Sequence, residues 1–179
     1  MGRDKALLPW GDGTLLDHAI ARLEEVACEV MLLTGSEARY SELRPAVTDA
    51  APGAGPLSAL AAALAATERP LAVFLGVDLP RVPSALLAEL VVLCRGWDAA
   101  VPLGPSGPEP LCAVYSESCL AAIRRRLGSG ERKMTSFWPD VRVRRVGLDL
   151  LPGGGADPFL NVNTRPDYER ALREAGLSG

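Results

Sequence analysis

The sequence predicts an α/β fold, in which helices cover a sheet rich in Val and Leu. Nearly half of the residues are hydrophobic, at 48%, while only 5% are aromatic, a composition that suits helices packed on an aliphatic sheet better than an aromatic β-sandwich. Segments with strand and helix patterns alternate along the chain, as in parallel sheets covered by helices. A length of 179 residues fits one domain with a real core. We therefore expect residues 1–179 to form a single domain.

The first half of the chain predicts two helices separated by short strands. Thr14 and Asp17 form a capping box with Asp in place of Glu, and apolar residues follow at helical spacing, which predicts a helix from about Thr14 to Ala27. The run EVMLLTG and the residues from Ala46 to Thr48 predict short strands. The segment GPLSALAAALAAT has Pro56 near its start and a long apolar face, which predicts the second helix.

The second half contains the clearest strand, Leu71 to Val77, whose continuous apolar run indicates a strand covered on both faces. The elements predicted after it are a helix from Pro83 to Cys94, strands in DAAVPL and EPLCAVY, a helix from Glu117 to Leu127, a strand in VRVRRVGL, an extended piece FLNVNT, and a helix from Arg165 to Ala175.

Charge and cysteine usage exclude several function classes. A net charge of -3 and a pI near 5.3 give no basic field that would attract nucleic acid or an anionic membrane. No long apolar run or signal-peptide pattern is present, so we expect a cytoplasmic protein.

The single histidine, His18, is expected to be a surface or partly buried side chain rather than a catalyst. Without C-x-x-C pairing, the cysteines are expected to be small buried side chains in a reducing compartment; they are Cys28, Cys94, Cys112 and Cys119.

Two aspartates are candidate ligands of a metal or nucleotide. Asp78 stands where the clearest strand ends, and ligands of open α/β sheets bind beyond the carboxyl ends of strands. Mg²⁺ prefers carboxylate oxygens together with substrate phosphates, which makes Asp78 a candidate metal ligand. Asp49 follows a short apolar stretch and precedes a glycine-rich turn, so it is a second candidate for the same crevice. The residues alone leave open that Asp78 starts a turn or caps a helix, and that Asp49 belongs to an ordinary loop.

One lysine and two asparagines are further candidates. Lys5 follows Gly2 in a polar loop before the first helix, where a lysine clamps phosphate as a point charge, although the spacing is not that of a P-loop. Asn161 and Asn163 flank one apolar residue, so both amides project from one side of an extended segment. The residues alone also leave open a solvated N-terminus around Lys5, and a turn and helix cap formed by the asparagines with Thr164.

The order and spacing of these motifs resemble one family, the molybdenum cofactor guanylyltransferases, within the wider nucleotidyltransferases. MGRDKALLPWGDGTLLDHAI resembles the family's R-M-G-x-D-K-x-x-L-x-x-x-G-x-x-L-L, and GPLSAL resembles G-P-L-x-G-L, with Ala59 where the family often has glycine. Four later stretches are also similar: VDLPRVP to D-x-P, EPLCAVY to E-P-L-x-A-x-Y, GSGERKMTSFW to G-x-R-x-x-x-x-F, and FLNVNTRPDYE to F-x-N-x-N-T-P-x-D. The similarity runs from Met1 to the last helix.

The resemblance implies a Rossmann-like three-layer α/β/α nucleotidyltransferase fold with a mostly parallel sheet. It implies a Mg²⁺-dependent enzyme that transfers GMP from GTP to molybdenum-molybdopterin, forms the guanine dinucleotide cofactor and releases pyrophosphate. By the same resemblance, Lys5 contacts the nucleotide phosphates and Asp78 holds Mg²⁺, both as catalytic residues, while Asp49 helps to bind guanosine. Asn161 and Asn163 would lie near the metal and the acceptor phosphate. The implied partners are GTP and molybdopterin, with molybdoenzymes or other cofactor-assembly proteins as further candidates.

One departure from the family concerns the start of the chain. In the family, a hydrophobic strand and a glycine-rich L-A-G-G-x-S-x-R segment precede the stretch that begins here at Met1. We therefore expect an N-terminally truncated domain that lacks the first strand and the glycine-rich loop. Such a form is expected to be poorly active, and to be less stable than a chain extended upstream because a lost buried strand exposes its neighbours' backbone groups.

Two alternatives remain at this point. One is a related nucleotidyltransferase that uses CTP or a sugar phosphate, although the G-P-L spelling at Gly55 to Leu57 favours the guanylyl branch. The other is a non-catalytic cofactor-binding adaptor with the same fold, although an adaptor does not need a carboxylate for Mg²⁺.

Overall fold

A computed structural model describes residues 4–34, 39–48, 55–152 and 157–177. The helices are α1 (Leu15–Glu24), α2 (Pro56–Ala66), α3 (Ser84–Leu93), α4 (Cys119–Gly128) and α5 (Arg165–Glu174). The strands are β1 (Pro9–Trp10), β2 (Gly13–Thr14), β3 (Leu32–Leu33), β4 (Ala46–Val47), β5 (Leu71–Leu75), β6 (Ala99–Gly104), β7 (Gly107–Pro108), β8 (Cys112–Ser116) and β9 (Val143–Gly147). Short 3₁₀ turns lie at Lys5–Leu7, Trp138–Asp140 and Leu148–Leu150.

The main sheet has the order β5-β8-β6-β7, and β9 pairs with β6. The β6–β9 pairing is parallel, whereas β5–β8, β6–β8 and β6–β7 are antiparallel. A separate parallel pair is formed by β3 and β4. The α/β class is therefore confirmed, but the expectation of a mostly parallel sheet is wrong. The physical reason is the connection from β6 to β8, which turns back through β7 without a helix, and parallel neighbours require a long crossover.

Helices lie on both faces of the main sheet, in the three layers that the resemblance implied. Tyr115 of β8 points into a core with α2, α4 and Phe137. Its neighbour Val114 points into a second core with α3, because successive strand residues face opposite sides. Each large apolar side chain buried in these cores stabilises the fold by about 1.5–3 kcal/mol, and Leu57 and Leu86 are fully buried examples on the two faces.

Most of the predicted elements are present with small shifts at their ends. The predicted capping box is confirmed at α1: the Asp17 amide donates to the Thr14 hydroxyl at 3.2 Å, and the Thr14 amide donates to the Asp17 carboxylate at 2.9 Å. The β1–β2 hairpin was not predicted, because two-residue strands carry no alternation pattern. The FLNVNT stretch, residues 159–164, for which an extended piece was predicted, contains no regular strand.

Strand β5 packs against a core on each of its two faces, as predicted. Ala72 and Phe74 pack towards one core, and Leu71, Val73 and Leu75 pack towards the other. All five residues nevertheless stay partly exposed. Only one edge of β5 pairs with a strand among the described residues, and that strand is β8.

The cysteine prediction holds for three of the four side chains. Cys94, Cys112 and Cys119 are buried, and all four cysteines are free thiols. Cys28 is exposed, contrary to the prediction, because it lies in the bend that follows α1. Within the described residues, no helix has the length and apolar character needed to cross a bilayer.

His18 is partly buried, as predicted, and fastens α1 to the segment after β5. Its Nε2 lies 2.8 Å from the Pro80 carbonyl oxygen, to which Nε2–H donates, and its ring centroid is 5.7 Å from that of Trp10. Burial lowers the pKa of His18, and the hydrogen bond to Pro80 opposes this in part. The neutral imidazole is therefore the form that the folded protein favours.

We expect His18 to make the protein less stable as the pH falls. In the unfolded chain, His18 binds a proton as the pH falls through about 6.5, whereas in the folded chain its lowered pKa shifts protonation to a lower pH. The contribution of His18 to stability is therefore retained above about pH 6.5 and decreases below it. His18→Gln cannot titrate but keeps a side-chain N–H for Pro80. The decrease in the free energy of unfolding between pH 7.5 and pH 5.5, measured with urea, should be smaller in this variant than in the wild type; equal decreases would contradict the role of His18.

Candidate functional site

Three of the predicted site residues meet where the chain leaves β5. The Lys5 Nζ donates a hydrogen bond to Asn163 Oδ1 at 2.7 Å and lies 3.5 Å from Asp78 Oδ2. The side chains of Lys5 and Asp78 are 30% and 17% exposed. The group is therefore partly desolvated but still open to a ligand from solvent.

Local structure holds each of these residues in place. Lys5 begins a 3₁₀ turn that Asp4 caps, since Asp4 Oδ1 accepts from the Ala6 amide at 3.1 Å. Asp78 follows β5, and its carbonyl oxygen accepts from the Val162 amide at 2.9 Å. Asn163 directly precedes Thr164, the N-cap of α5. The polar start of the chain is thus a capped turn that carries the lysine.

Gly76 permits the close packing at the end of β5. A Cβ atom at this position would lie 2.6 Å from Asp78 Oδ1, closer than a carbon atom can approach that oxygen. The absence of a side chain at Gly76 therefore lets the Asp78 carboxylate fold back over the strand end.

A second polar cluster lies beside Lys5. The Tyr40 hydroxyl donates to Asp4 Oδ2, and Arg39 Nη2 is 2.5 Å from the same oxygen. The hydrogen bond from Tyr40 is the main reason that the pKa of Asp4 is lowered, and Arg39 adds to the effect. Tyr40 has a φ of 61°, which is uncommon for a residue with a side chain. These contacts tie residues 39–40 to the turn that bears Lys5.

Two more carboxylates influence the same region. Burial is the main cause that raises the pKa of Glu109, and the negative charges of Asp157 and Asp78 raise it further. Glu109 lies on the connection between β7 and β8, opposite Gly104. Among the residues that the structure describes, no three His, Cys, Asp or Glu side chains are grouped so as to hold a metal on their own. A metal at this place would need oxygen atoms from a ligand as well.

The remaining predicted site residues have different outcomes. Asp49 lies outside the described residues. Asn161 Oδ1 is buried and has no hydrogen-bond partner among the described residues, and no hydrogen bond found there joins it to Lys5 or Asp78. The alternative in which the asparagines cap the last helix is wrong for Asn163, because Thr164 is the N-cap and Asn163 accepts from Lys5 instead.

Sequence reasoning assigned no role to Glu109, Asp157, Arg39 or Tyr40. Glu109 could have been found from the sequence, because it is the first residue of the EPLCAVY stretch that resembles a family motif. The other three lie in segments with no periodicity or motif. Their proximity to the site arises from the tertiary fold.

A model of the MobA-like NTP transferase domain matches residues 1–143 of the chain. A probable molybdenum cofactor guanylyltransferase of Opitutus terrae is 38% identical over 181 aligned residues, covering 97% of this chain and 89% of the relative. A protein of the same description from Pelotomaculum thermopropionicum is 34% identical, covering 96% of this chain and 85% of the relative.

Solved structures also resemble the fold. Molybdopterin-guanine dinucleotide biosynthesis protein A from Archaeoglobus fulgidus superposes with a TM-score of 0.83 at 22% identity, covering 99% of this chain and 93% of that one. The 2-C-methyl-D-erythritol 4-phosphate cytidylyltransferase of Thermus thermophilus has a TM-score of 0.72 at 20% identity, covering 96% and 94%. Rv0371c of Mycobacterium tuberculosis, in a complex with manganese, has a TM-score of 0.70 at 21% identity, covering 96% and 93%. At these identities, the structures establish the shared fold.

Proposed function

The chain belongs to the family of MobA-like NTP transferase domains, and from this premise we propose that it is a molybdenum cofactor guanylyltransferase. It transfers GMP from GTP to molybdenum-molybdopterin, forms the guanine dinucleotide cofactor and releases pyrophosphate. The observation that carries the proposal is the contact of Lys5 with both Asp78 and Asn163, residues from three motifs far apart in the chain. We further propose a cytoplasmic location, and molybdoenzymes or other cofactor-assembly proteins as partners.

The residues at this site fit a Mg²⁺ ion that is bound together with the nucleotide. Mg²⁺ is held by one or two carboxylates plus substrate phosphates and keeps several waters. Asp78 supplies a partly exposed carboxylate, and Glu109 and Asp157 add negative charge nearby. We propose that Asp78 is the protein ligand of Mg²⁺. When bound, the ion would neutralise charge on the phosphate oxygens.

The chain's own residues would act mainly by positioning and charge. Transfer of a nucleotidyl group needs in-line placement and stabilisation of charge more than covalent chemistry from the protein. Lys5 would hold the nucleotide phosphates as a point charge, exchanging its contact with Asn163 for a phosphate oxygen. Asn163 would then orient the acceptor phosphate together with Asn161, whose buried side-chain oxygen has no hydrogen-bond partner in the described part of the chain. We assign Asp49 to the guanosine part of the nucleotide.

Nucleotide selectivity tests the proposal directly. We expect calorimetric titration with Mg²⁺ to give at least tenfold tighter binding of GTP than of CTP or ATP. The physical reason is that the phosphates are common to all three nucleotides, so any preference must come from contacts to the base. Pyrophosphate release should then require both GTP and molybdenum-molybdopterin.

The other outcomes separate the alternatives. A preference for CTP would favour a cytidylyltransferase, and release of pyrophosphate with a sugar phosphate would favour a sugar-phosphate nucleotidyltransferase. Binding of molybdopterin with no release of pyrophosphate would favour the non-catalytic adaptor. Each of these results would replace the guanylyltransferase proposal.

A further inference from the structure

The lysine of the candidate site lies on a very short element. The 3₁₀ turn Lys5–Leu7 has three residues, none of which is buried. Short 3₁₀ turns have poor hydrogen-bond geometry and gain little stability of their own. The lysine side chain is a flexible stem, so the direction of its ammonium group depends on how the turn is held. The support of this turn must come from other parts of the fold.

Asp4 connects the turn to such a support. Its Oδ1 accepts from the Ala6 amide at 3.1 Å, and its carbonyl oxygen accepts from the Leu7 amide at 3.2 Å. Its second carboxylate oxygen, Oδ2, is bound from outside the turn, by the Tyr40 hydroxyl and by Arg39. Asp4 therefore joins the turn to Tyr40, which lies 36 positions further along the chain.

Tyr40 is itself fixed by packing. Its ring lies against an apolar cluster formed by side chains of α1 and β3. Ala6, which follows Lys5, packs against the same cluster. Val77, which precedes Asp78, does so as well. Tyr40 therefore shares one apolar base with the segments that carry the lysine and the aspartate of the site.

The backbone of Tyr40 has a costly conformation. Its φ of 61° lies in the left-handed region, where the side chain of a residue other than glycine is crowded. Residues in such conformations persist only where their surroundings fix them, and they are concentrated at functional sites. At Tyr40 the Leu43 amide donates to the carbonyl oxygen at 2.9 Å, the ring is packed, and the hydroxyl is bound to Asp4. These contacts together hold the hydroxyl at the turn of Lys5.

The contact between Tyr40 and Asp4 is complementary at neutral pH. The hydrogen bond from Tyr40 is the main cause that lowers the pKa of Asp4, and the same bond raises the pKa of Tyr40. The carboxylate is therefore ionised and the hydroxyl protonated, which gives a strong, charge-assisted hydrogen bond. Arg39 compensates the charge of Asp4, so a phosphate beside Lys5 does not meet an uncompensated carboxylate.

We propose that Tyr40 is a positioning residue of the site: it holds Asp4 and, through Asp4, directs the turn of Lys5 towards the nucleotide phosphates. This inference rests on the contact of Lys5 with phosphate in the function proposed above. A group that is held in place before its ligand arrives loses less freedom on binding, and a small displacement of such a group is costly to the rate. In this role Tyr40 acts through Lys5 and does not itself bind the nucleotide.

Tyr40→Phe tests the proposal, because it removes the hydroxyl and keeps the ring on its apolar base. We expect kcat/KM for GTP to fall about tenfold while the protein remains folded. ¹⁵N relaxation should show that the turn has loosened, with backbone order parameters of Ala6 and Leu7 falling from about 0.85 to below about 0.6. A residue that only stabilised the fold would not loosen this turn selectively.

The matched control is Tyr168→Phe. It removes another tyrosine hydroxyl, which donates to the Pro9 carbonyl oxygen and makes no hydrogen bond to Asp4 in the described part of the chain. The control should leave the order parameters of the turn unchanged and kcat/KM within about twofold of the wild type. Equal losses in the two variants would contradict a specific role for Tyr40.

A double-mutant cycle separates action through Lys5 from a direct contact with the nucleotide. In the Lys5→Met variant there is no ammonium group to position, so the addition of Tyr40→Phe should change kcat/KM by less than about twofold. The same loss with and without the lysine would mean that Tyr40 does not act through Lys5, and would overturn the proposal. Unchanged order parameters of the turn in Tyr40→Phe would overturn it as well.

A failure of this inference can be told from a failure of the proposed function. If the wild type releases no pyrophosphate from GTP, the guanylyltransferase proposal fails, and the affinity for inorganic tripolyphosphate replaces the rate in the same variants. Tyr40→Phe should then weaken binding of tripolyphosphate about tenfold when Lys5 is present and by less than about twofold in Lys5→Met. Absence of binding, or equal affinity of the wild type and Tyr40→Phe, would overturn the positioning role.

Discussion

Replacement of Asp78 by Asn is expected to lower the rate of pyrophosphate release from GTP by roughly 10²–10³-fold. The substitution keeps the size of the side chain and removes the negative charge that we assign to Mg²⁺. The contact of Asp78 with Lys5, at 3.5 Å between partly exposed groups, contributes only about 0–1 kcal/mol to stability. The variant should therefore unfold close to the wild-type midpoint. Initial rates with GTP, Mg²⁺ and molybdenum-molybdopterin, together with a thermal unfolding curve, measure both effects.

The matched control for this experiment is Asp12→Asn. Asp12 is exposed in the turn between β1 and β2, and the substitution changes the net charge by the same amount. It should leave the rate within about twofold of the wild type, since surface substitutions are usually close to neutral. A rate for Asp78→Asn as high as that of Asp12→Asn would remove Asp78 from the catalytic machinery.

Replacement of Lys5 by Met should have the second largest effect, a loss of roughly 10²-fold or more in kcat/KM for GTP. Methionine keeps much of the aliphatic length and removes the ammonium group that we assign to the phosphates. Lys5→Arg should recover activity only in part, because the guanidinium group is a planar fork rather than a compact charge. Steady-state kinetics at several GTP concentrations would separate the change in kcat from the change in KM.

The chain provides a matched control for the lysine substitution. Lys133 is the only other lysine in the sequence, and it is exposed. Lys133→Met changes the net charge equally and should retain near-normal kcat/KM. Similar losses in the two variants would show that the effect comes from overall charge and would contradict a specific role for Lys5.

Local signals in the sequence predicted the helices and their caps well. The Thr14 and Asp17 pair forms the capping box that its spacing predicted, and Pro56 lies at the start of α2. These features depend on residues a few positions apart, so the chain encodes them locally. The pairing of strands is not local. No sequence pattern between β6 and β8 predicted that these two strands pair antiparallel. The one indication was that the connection between them is too short to hold a helix.

The candidate site was predictable where a motif carried it. Lys5, Asp78 and Asn163 each stood in a recognisable stretch, and the structure brings them together. Arg39 and Tyr40 lie in a segment without a pattern, and their position depends on their contacts with Asp4, next to Lys5. Asp157 also lies in a segment without a pattern, and its proximity to Glu109 depends on the tertiary fold. Glu109 had a motif but no assigned role, because its electrostatic coupling to Asp78 and Asp157 is a property of the folded chain.

The hydrogen bond from Lys5 to Asn163 joins residues that are 158 positions apart. Synthesis proceeds from the N-terminus, and domains fold as units as they emerge from the ribosome. A nascent chain that has made the lysine, and even the strand before Asp78, still lacks the asparagine and helix α5, which follow much later in the sequence. The candidate site therefore cannot form before the segment that carries Asn163 has been synthesised, and a shorter nascent chain has only some of the groups that we assign to nucleotide binding.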